Sequence, residues 1–335
     1  MDLEADEANV VDIAGFDAGH ALSLWTTALL YQEDPLALVY GCVVPHSPNL
    51  VPQAGGEKAR LCARTRESMI ELGMTICDER KFKNAVIVSP HSPFLPEAFG
   101  VWEGKKLRGS MERFQAPDVT IELKVSVPLA EAIVDVAQRM ELPMGRLNKD
   151  WELDRGVTVP AVFLIREGET NVVPVAISML GWDEHWLFGT AIAKAAEVVG
   201  EDVVLIASSN LSHRITPDAP HGYSGSGAEF DGLVRKTFED GRLRDLLDIP
   251  QDLCREASEC GFAPLLVLGG AFDGRNVKGR VLSYEAPFGI GYLVAEVEVI
   301  AGDPEPRRFV AATAERLSGM VEREGGRGLF RRRQQ

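Results

Sequence analysis

The chain has 335 residues, of which 45% are hydrophobic and 25% are charged, and its formal net charge is -15. This length and apolar content suffice for a large core in one α/β domain or two smaller ones. Binding to phosphate requires Lys and Arg, so the excess of 50 acidic over 35 basic residues argues against nucleic acid and membranes as partners. The basic end, RRRQQ, is typical of a solvated tail.

The sequence also carries signals about its compartment. The start, MDLEADEANVVDIAG, lacks the basic and apolar regions of an export signal, and no run of eighteen apolar residues predicts a membrane span. The cysteines are odd in number and none forms a CxxC pair, which argues against a disulfide framework or a structural zinc site. We therefore predict a cytoplasmic protein.

After residues 1–36, which we expect to be an N-terminal extension, short β-branched runs alternate with segments of helical periodicity. This alternation predicts an α/β fold for 37–300, a single domain with a mostly parallel central sheet flanked by helices. The segment 100–114 is predicted to be a hairpin insertion, and 301–335 to be a linker and a C-terminal helix with a basic tail. The predicted strands are 36–44, 84–90, 171–180, 202–209 and 292–300, and the predicted helices are 57–81, 128–142, 185–200 and 227–248.

The motif Pro-His-Ser-Pro follows a predicted strand twice, and it places His46 and His91 where two strands end. Ligands of open α/β sheets gather at the carboxyl ends of the strands. Flanking prolines restrict the backbone, so each imidazole projects from a rigid loop, which suits metal ligation. A turn or capping role for each histidine is the structural alternative. We predict that the two motifs hold two imidazoles on one metal.

Further candidates lie in the second half. A third buried strand ends in the polar loop SSNLSHR, whose His213 suits general acid or base chemistry; an incidental histidine in a helix cap is the alternative. In CREASECGF, the four-residue spacing of Glu256 and Cys260 would place them on one helical face, with Glu259 on a neighbouring face. Two histidines and one carboxylate form the ligand set of non-haem ferrous enzymes.

Six segments in order carry a family resemblance: HSPNLVP, VIVSPHSP, ELDRGVTVPAVFL, ASSNLSHRITPDAPHGYSGSGAEFD, EASECGFAPLLVLGGA and LSYEAPFGIGYLVA. Together they resemble the class III extradiol ring-cleaving dioxygenases of the LigB superfamily, and most closely the Memo-like and AmmeMemoRadiSam-associated branch. The resemblance implies that His46 and His91 bind Fe(2+), with Zn or Cu as alternatives, and that His213 is the acid-base residue.

The resemblance leaves the third metal ligand open. We favour Glu256, because on a helix it would share a face with Cys260. Glu259 and Cys260 are the alternatives, and Memo-like relatives place a cysteine, here Cys260, where dioxygenases have a glutamate. Tyr284, in the last of the six segments, is a candidate wall residue of the substrate site, and packing in the core is the alternative that its sequence context favours.

Two departures from the family pattern bear on function. The usual Asp-His-Gly is Asp154-Arg155-Gly156 here, and the permanent cation either selects a carboxylated substrate or marks loss of ring cleavage. Asn210 stands where relatives often have Asp, which removes a charge partner for His213.

The resemblance implies an Fe(2+)-dependent extradiol dioxygenase that opens a catechol-type aromatic with O2. The alternative is a Memo-like metal-binding protein with a redox or partner-binding role and no ring cleavage. Related proteins are commonly oligomeric, so a homo-oligomer is also expected.

Overall fold

Ten β-strands are present in residues 37–93 and 95–302, the part of the chain that this computed structural model describes. Five of them are the buried apolar runs predicted from the sequence. In chain order the strands are β1 (Leu38–Val44), β2 (Asn84–Ser89), β3 (Phe99–Trp102), β4 (Lys106–Met111), β5 (Ala116–Lys124), β6 (Met144–Leu147), β7 (Asn171–Ala176), β8 (Val203–Ser208), β9 (Val277–Glu285) and β10 (Tyr292–Val299).

Eight of these strands form one mixed sheet in the order β6-β3-β7-β2-β8-β1-β10-β9. The strands β7, β2, β8 and β1 are parallel neighbours, and β10 and β9 continue the sheet in antiparallel pairing. At the other side, β3 pairs parallel with β6 and antiparallel with β7. The predicted α/β fold with a mostly parallel sheet and flanking helices is therefore confirmed.

The helices flank this sheet and bury its apolar strands. The segment 57–81 is not one helix, because a 3-10 stretch over 56–62 precedes its α-helix and a π-helical turn over 75–79 follows it. The α-helices are α1 (Pro52–Gly55), α2 (Ala63–Met74), α3 (Val127–Arg139), α4 (Arg155–Leu164), α5 (Trp182–Val199), α6 (Gly225–Asp240), α7 (Gln251–Ala257) and α8 (Phe262–Ala271).

The helix α8 is buried along almost its whole length, which explains its continuous apolar sequence. It packs closely on α5: a Cβ added at Gly270 would lie 1.9 Å from the Trp186 carbonyl oxygen. Only glycine permits this approach of the two backbones. The packing therefore holds the C-terminal part of α8 directly against α5.

The predicted hairpin insertion was partly wrong. Residues 99–102 form β3 of the main sheet, and the hairpin is β4 with β5, a separate two-stranded sheet. The predicted extension 1–36, and all but the start of the predicted linker and helix 301–335, lie outside the described residues. None of the described helices is long and apolar enough to cross a bilayer.

Candidate metal centre

Three neighbouring parallel strands bring three histidines to the same end of the sheet. Because β2, β8 and β1 are adjacent and parallel, their carboxyl ends lie side by side. His46 follows β1 and His91 follows β2, each two residues after the strand, and His213 follows β8. The two Pro-His-Ser-Pro loops place the Nε2 atoms of His46 and His91 3.0 Å apart, with the rings edge to face. The sheet topology therefore brings these distant histidines together, as the sequence predicted.

Cys260 completes a group of three metal-binding side chains. The ligand atoms of His46, His91 and Cys260 all lie within 4.8 Å of one another, and the Cys260 Sγ is 3.4 Å from the His46 Nε2. Two nitrogens that bind one metal at about 2.0–2.1 Å lie about 2.9 Å apart in adjacent octahedral positions and about 3.4 Å apart in tetrahedral ones. The observed 3.0 Å lies within this range. Two imidazoles and a thiolate are a donor set that fits iron, zinc or copper.

The backbone around Cys260 corrects the helical argument made from the sequence. The helix α7 ends at Ala257, and Ser258 takes a left-handed conformation with φ 52°. Glu256 and Cys260 therefore do not share a helical face. The Glu256 carboxylate accepts a hydrogen bond from the Ser226 hydroxyl and is not part of the ligand group.

Glu259 caps the next helix. Its carboxylate accepts hydrogen bonds from the backbone N–H groups of Gly261 (2.7 Å) and Phe262 (2.6 Å), at the start of α8. A Cβ at Gly261 would lie 2.5 Å from the Ser209 Cα, so glycine is needed where this turn meets the loop after β8. The carboxylate and the glycine together hold Cys260 in place between them.

Polar neighbours orient the two imidazoles. The His46 Nδ1 lies 3.1 Å from the Ser208 hydroxyl, which leaves its Nε2 facing the ligand group. The Asn210 side-chain oxygen accepts a hydrogen bond from the His46 backbone N–H at 3.1 Å, so Asn210 holds the loop that carries His46. Groups that fix the second nitrogen of a metal-binding histidine commonly determine its orientation. Sequence reasoning missed Ser208, although its place at the end of a strand beside the motif was a usable signal.

Asp154 supports the second histidine indirectly. Its carboxylate accepts hydrogen bonds from the hydroxyls of Ser89 and Ser92 and from the Gly156 N–H. The Ser89 hydroxyl oxygen in turn accepts a hydrogen bond from the His91 backbone N–H, at 3.1 Å. Asp154 therefore caps α4 and ties it to the loop that carries His91.

Arg155 lies directly at the ligand group. Its Nη2 donates to the His91 Nε2 at 3.1 Å, from the first residue of α4. The His91 Nε2 is also the atom that would bind a metal. The cation predicted from the sequence thus stands next to the candidate ligands.

Burial shifts the ionisation of all three candidate ligands. Desolvation, followed by the Arg155 charge, lowers the pKa of His91 to about 4. Desolvation and the neighbouring His91, Arg155 and His213 lower the pKa of His46. Desolvation, followed by Glu259, raises the pKa of the Cys260 thiol to about 12. Both imidazoles are therefore neutral near pH 7, and the thiol loses its proton when a metal binds.

His213 stands beside this group. Its Nδ1 donates to the Ser258 carbonyl oxygen at 2.6 Å, and its Nε2 is 3.8 Å from the Cys260 Sγ. Burial lowers the pKa of His213, so its Nε2 carries a free lone pair at neutral pH.

Behind His213, a buried carboxylate holds the loop. Asp231 on α6 accepts hydrogen bonds from the Ser212 N–H (2.8 Å) and from the Tyr284 hydroxyl (2.6 Å). Burial raises the pKa of Asp231 to about 7. Tyr284 thus supports the loop through Asp231, whereas the sequence predicted it at the wall of the site. Asp231 was missed, because GAEFDG reads as an ordinary helical segment.

Comparison with known proteins places the chain in a family. The profile described as "Catalytic LigB subunit of aromatic ring-opening dioxygenase" matches residues 40–295. This chain belongs to the LigB family. His46, His91, His213 and Cys260 all lie within the matched region.

Two individual proteins are similar to this chain. Protein CA_C1420 of Clostridium acetobutylicum is 31% identical over 270 residues, which are 78% of this chain and 58% of that protein. The chain thus spans less than two thirds of the length of this relative. The fold is also similar to that in the crystal structure of uncharacterized protein JW3007 from Escherichia coli K12, with a TM-score of 0.53 and 18% sequence identity. The match covers 77% of this chain and 99% of the JW3007 chain. At this identity the likeness shows a shared fold alone.

Proposed function

We propose that this LigB-family chain is a non-haem iron(II) extradiol dioxygenase that opens the ring of a catechol-type aromatic with O2. The observation that carries the proposal is the convergence of the His46, His91 and Cys260 donor atoms within 4.8 Å, beside His213. The family description, a catalytic subunit of an aromatic ring-opening dioxygenase, supports the same chemistry.

His46, His91 and Cys260 would hold an iron(II) ion. The bound ion would supply a site where an aromatic diol and O2 meet and would let electron density pass between them. Cys260 replaces Glu256 and Glu259 in this proposal, because their carboxylates are bound to Ser226 and to the start of α8.

His213 would move the substrate proton. The Nδ1–H is committed to the Ser258 carbonyl, so only the Nε2 of the neutral ring faces the ligand group. That nitrogen accepts a phenolic proton when the diol binds and returns it after the ring opens. Asp231 keeps the ring in place through the Ser212 backbone.

A second candidate is a Memo-like metal-binding protein without ring cleavage. The specific observation that favours it is Cys260 in the ligand group, because a thiolate is a softer ligand than a carboxylate and favours zinc or copper(I). Both candidates require the same three side chains.

Oxygen consumption by anaerobically purified, iron(II)-loaded protein across a panel of catechols tests the proposal. Uptake with a coloured ring-opened product should disappear in His213→Gln, which keeps a donor for Ser258, while iron content stays unchanged. Ser209→Ala is the matched control, since its buried hydroxyl has no hydrogen-bond partner among the described residues. Stoichiometric iron with no uptake for any catechol would overturn the dioxygenase proposal. A thiolate-to-cobalt absorption band that is lost in Cys260→Ser would then support the second candidate.

A further inference from the structure

The C-terminal end of α7 lies against the loop that carries His213. The last carbonyl groups of an α-helix have no donor within the helix and must find other partners. Here the Ala257 carbonyl oxygen accepts hydrogen bonds from the Ser212 hydroxyl at 2.9 Å and from the His213 backbone N–H at 3.1 Å. The Glu256 carbonyl oxygen accepts a hydrogen bond from the Arg214 Nη1 at 3.2 Å. The end of α7 therefore binds three consecutive residues of the loop.

Ser258, the first residue after α7, supplies a third carbonyl group and directs it at the imidazole. Its backbone takes φ 52° and ψ 43°, which is the left-handed region, while its N–H bonds to the Arg255 carbonyl oxygen. The Ser258 carbonyl oxygen accepts a hydrogen bond from the His213 Nδ1 at 2.6 Å. Carbonyl groups of a right-handed helix all point along the helix axis, so a further helical residue would aim this oxygen parallel to that of Ala257. The left-handed turn is what brings it to the ring.

This backbone conformation is unfavourable for serine. A left-handed residue brings its Cβ close to a carbonyl oxygen, so helices that end in this way usually have glycine or asparagine at the position. Backbone strain of this kind persists where surrounding contacts over-determine it, and it is concentrated at functional sites. The strained residue here is the one whose carbonyl oxygen reaches the His213 ring.

The hydrogen bond selects one tautomer of the imidazole. A carbonyl oxygen can only accept, so the nitrogen that faces it must carry the proton, and in a neutral imidazole the other nitrogen then has a free lone pair. Without this bond the ring can also adopt the Nε2–H form. In that form the nitrogen that would take a substrate proton is already protonated and cannot act as a base.

We propose that Ser258 is a positioning residue of the site: its left-handed backbone presents a carbonyl group that holds His213 in the Nδ1–H tautomer and keeps the Nε2 free. The contacts of Ser212 and Arg214 with the end of α7 hold this carbonyl group and the ring together. The use of the free Nε2 as a base rests on the proposed function, whereas the tautomer itself does not. Ser258 thus acts through its main chain, and its hydroxyl is dispensable.

Long-range proton–nitrogen NMR of protein isotope-labelled at histidine, at neutral pH, identifies the ring nitrogen that carries the proton. The His213 signals are those that are missing from the spectrum of His213→Gln. The wild type should show the Nδ1–H tautomer alone. Ser258→Gly, which has no Cβ and adopts the left-handed region freely, should keep this spectrum. Ser258→Val, whose β-branched side chain disfavours that region, should show both tautomers.

Lys81→Val is the matched control. Lys81 also has a positive φ, 56°, but it lies shortly before β2, at the end of the sheet opposite to the histidines. The same substitution there imposes similar backbone strain and should leave the His213 tautomer unchanged. In the catechol assay Ser258→Val should lower kcat about 10- to 100-fold with KM nearly unchanged, because part of the contribution of a general base is lost. A loss of stability alone would lower the folded fraction but would leave the tautomer of the folded protein intact.

Each contrary result has a distinct meaning. An Nε2–H ring in the wild type overturns the proposal, because the Nδ1 could not then donate to Ser258. A changed tautomer in Ser258→Gly shows that the hydroxyl holds the ring and also overturns it. A single Nδ1–H tautomer in Ser258→Val, or in Ser258→Ala where the valine variant does not fold, overturns the role of the left-handed turn. Absence of oxygen uptake by the wild type for every catechol contradicts the proposed function, while the tautomer still decides the role of Ser258.

Discussion

Metal-free protein should lose stability as the pH falls from 7.5 to 4.5, and His91 should account for a measurable part of this loss. The pKa of His91 is lowered to about 4, first by desolvation and then by Arg155. An imidazole in the unfolded chain titrates near about 6.5. Between about pH 6.5 and pH 4 the His91 imidazole is protonated in the unfolded chain but stays neutral in the folded protein. The stability contributed by the neutral ring is therefore complete above pH 6.5 and is lost as the pH approaches 4.

The size of the effect follows from the two pKa values. At pH 4.5 the difference in proton binding corresponds to about 2–3 kcal/mol of unfolding free energy, against nearly zero at pH 7.5. Urea unfolding of the wild type and of His91→Gln in the presence of EDTA measures this difference, because both proteins contain the same titrating carboxylates. The stability difference between the two proteins should shift by about 2–3 kcal/mol in favour of the variant between pH 7.5 and 4.5. A shift below about 0.5 kcal/mol would refute the reasoning that His91 is desolvated beside a cation.

Three further predictions concern the surroundings of the ligand group. Ser208→Ala removes the hydroxyl 3.1 Å from the His46 Nδ1 and should weaken Co(2+) binding about 10- to 100-fold, as measured by calorimetric titration. The control Ser209→Ala removes a hydroxyl that has no hydrogen-bond partner among the described residues and should leave the affinity unchanged. Equal Co(2+) affinities of the two variants would contradict the orienting role of Ser208. Gly261→Ala places a Cβ 2.5 Å from the Ser209 Cα and should cost about 1–3 kcal/mol in urea unfolding. Gly232→Ala is the control on the exposed face of α6, where an added Cβ would have no other atom within 4 Å, and it should stabilise the protein by about 0.5–1 kcal/mol. A similar loss of stability in both variants would argue against the close approach of Gly261 to Ser209. Because burial raises the pKa of Asp231 to about 7, its folded form keeps a proton that the unfolded chain releases near pH 4. The wild type should therefore lose stability relative to Asp231→Asn as the pH rises from 4 to 7, the opposite direction to His91, and a flat difference would show that Asp231 is ionised throughout.

The central strands and the histidines that follow them were predictable because parallel strands buried on both faces read as continuous apolar runs. His46, His91 and His213 each follow such a run, so topology alone brings them together. The edge strand β9 escaped prediction because its residues alternate between exposed and partly buried positions and include polar side chains.

The choice between Glu256 and Cys260 depended on one backbone conformation. Periodicity favoured a continuous helix through both residues, but Ser258 adopts a positive φ and ends α7 before Cys260. Serine carries no strong signal for this conformation, which glycine or asparagine would have indicated. Likewise, Asp231 looks like any helical acid until the tertiary structure buries it under Tyr284.

The ligand group joins residues that are 214 positions apart in the chain, His46 and Cys260. On a ribosome that adds about 5–20 residues per second, the first imidazole is made on the order of 10 to 40 s before the thiol. A nascent chain arrested before residue 260 carries both Pro-His-Ser-Pro segments but lacks the sulfur, and also α8, which fixes that sulfur against the sheet. At the proposed centre, acquisition of a metal would consequently be a late step in biogenesis, restricted to chains that have been synthesised and folded through α8.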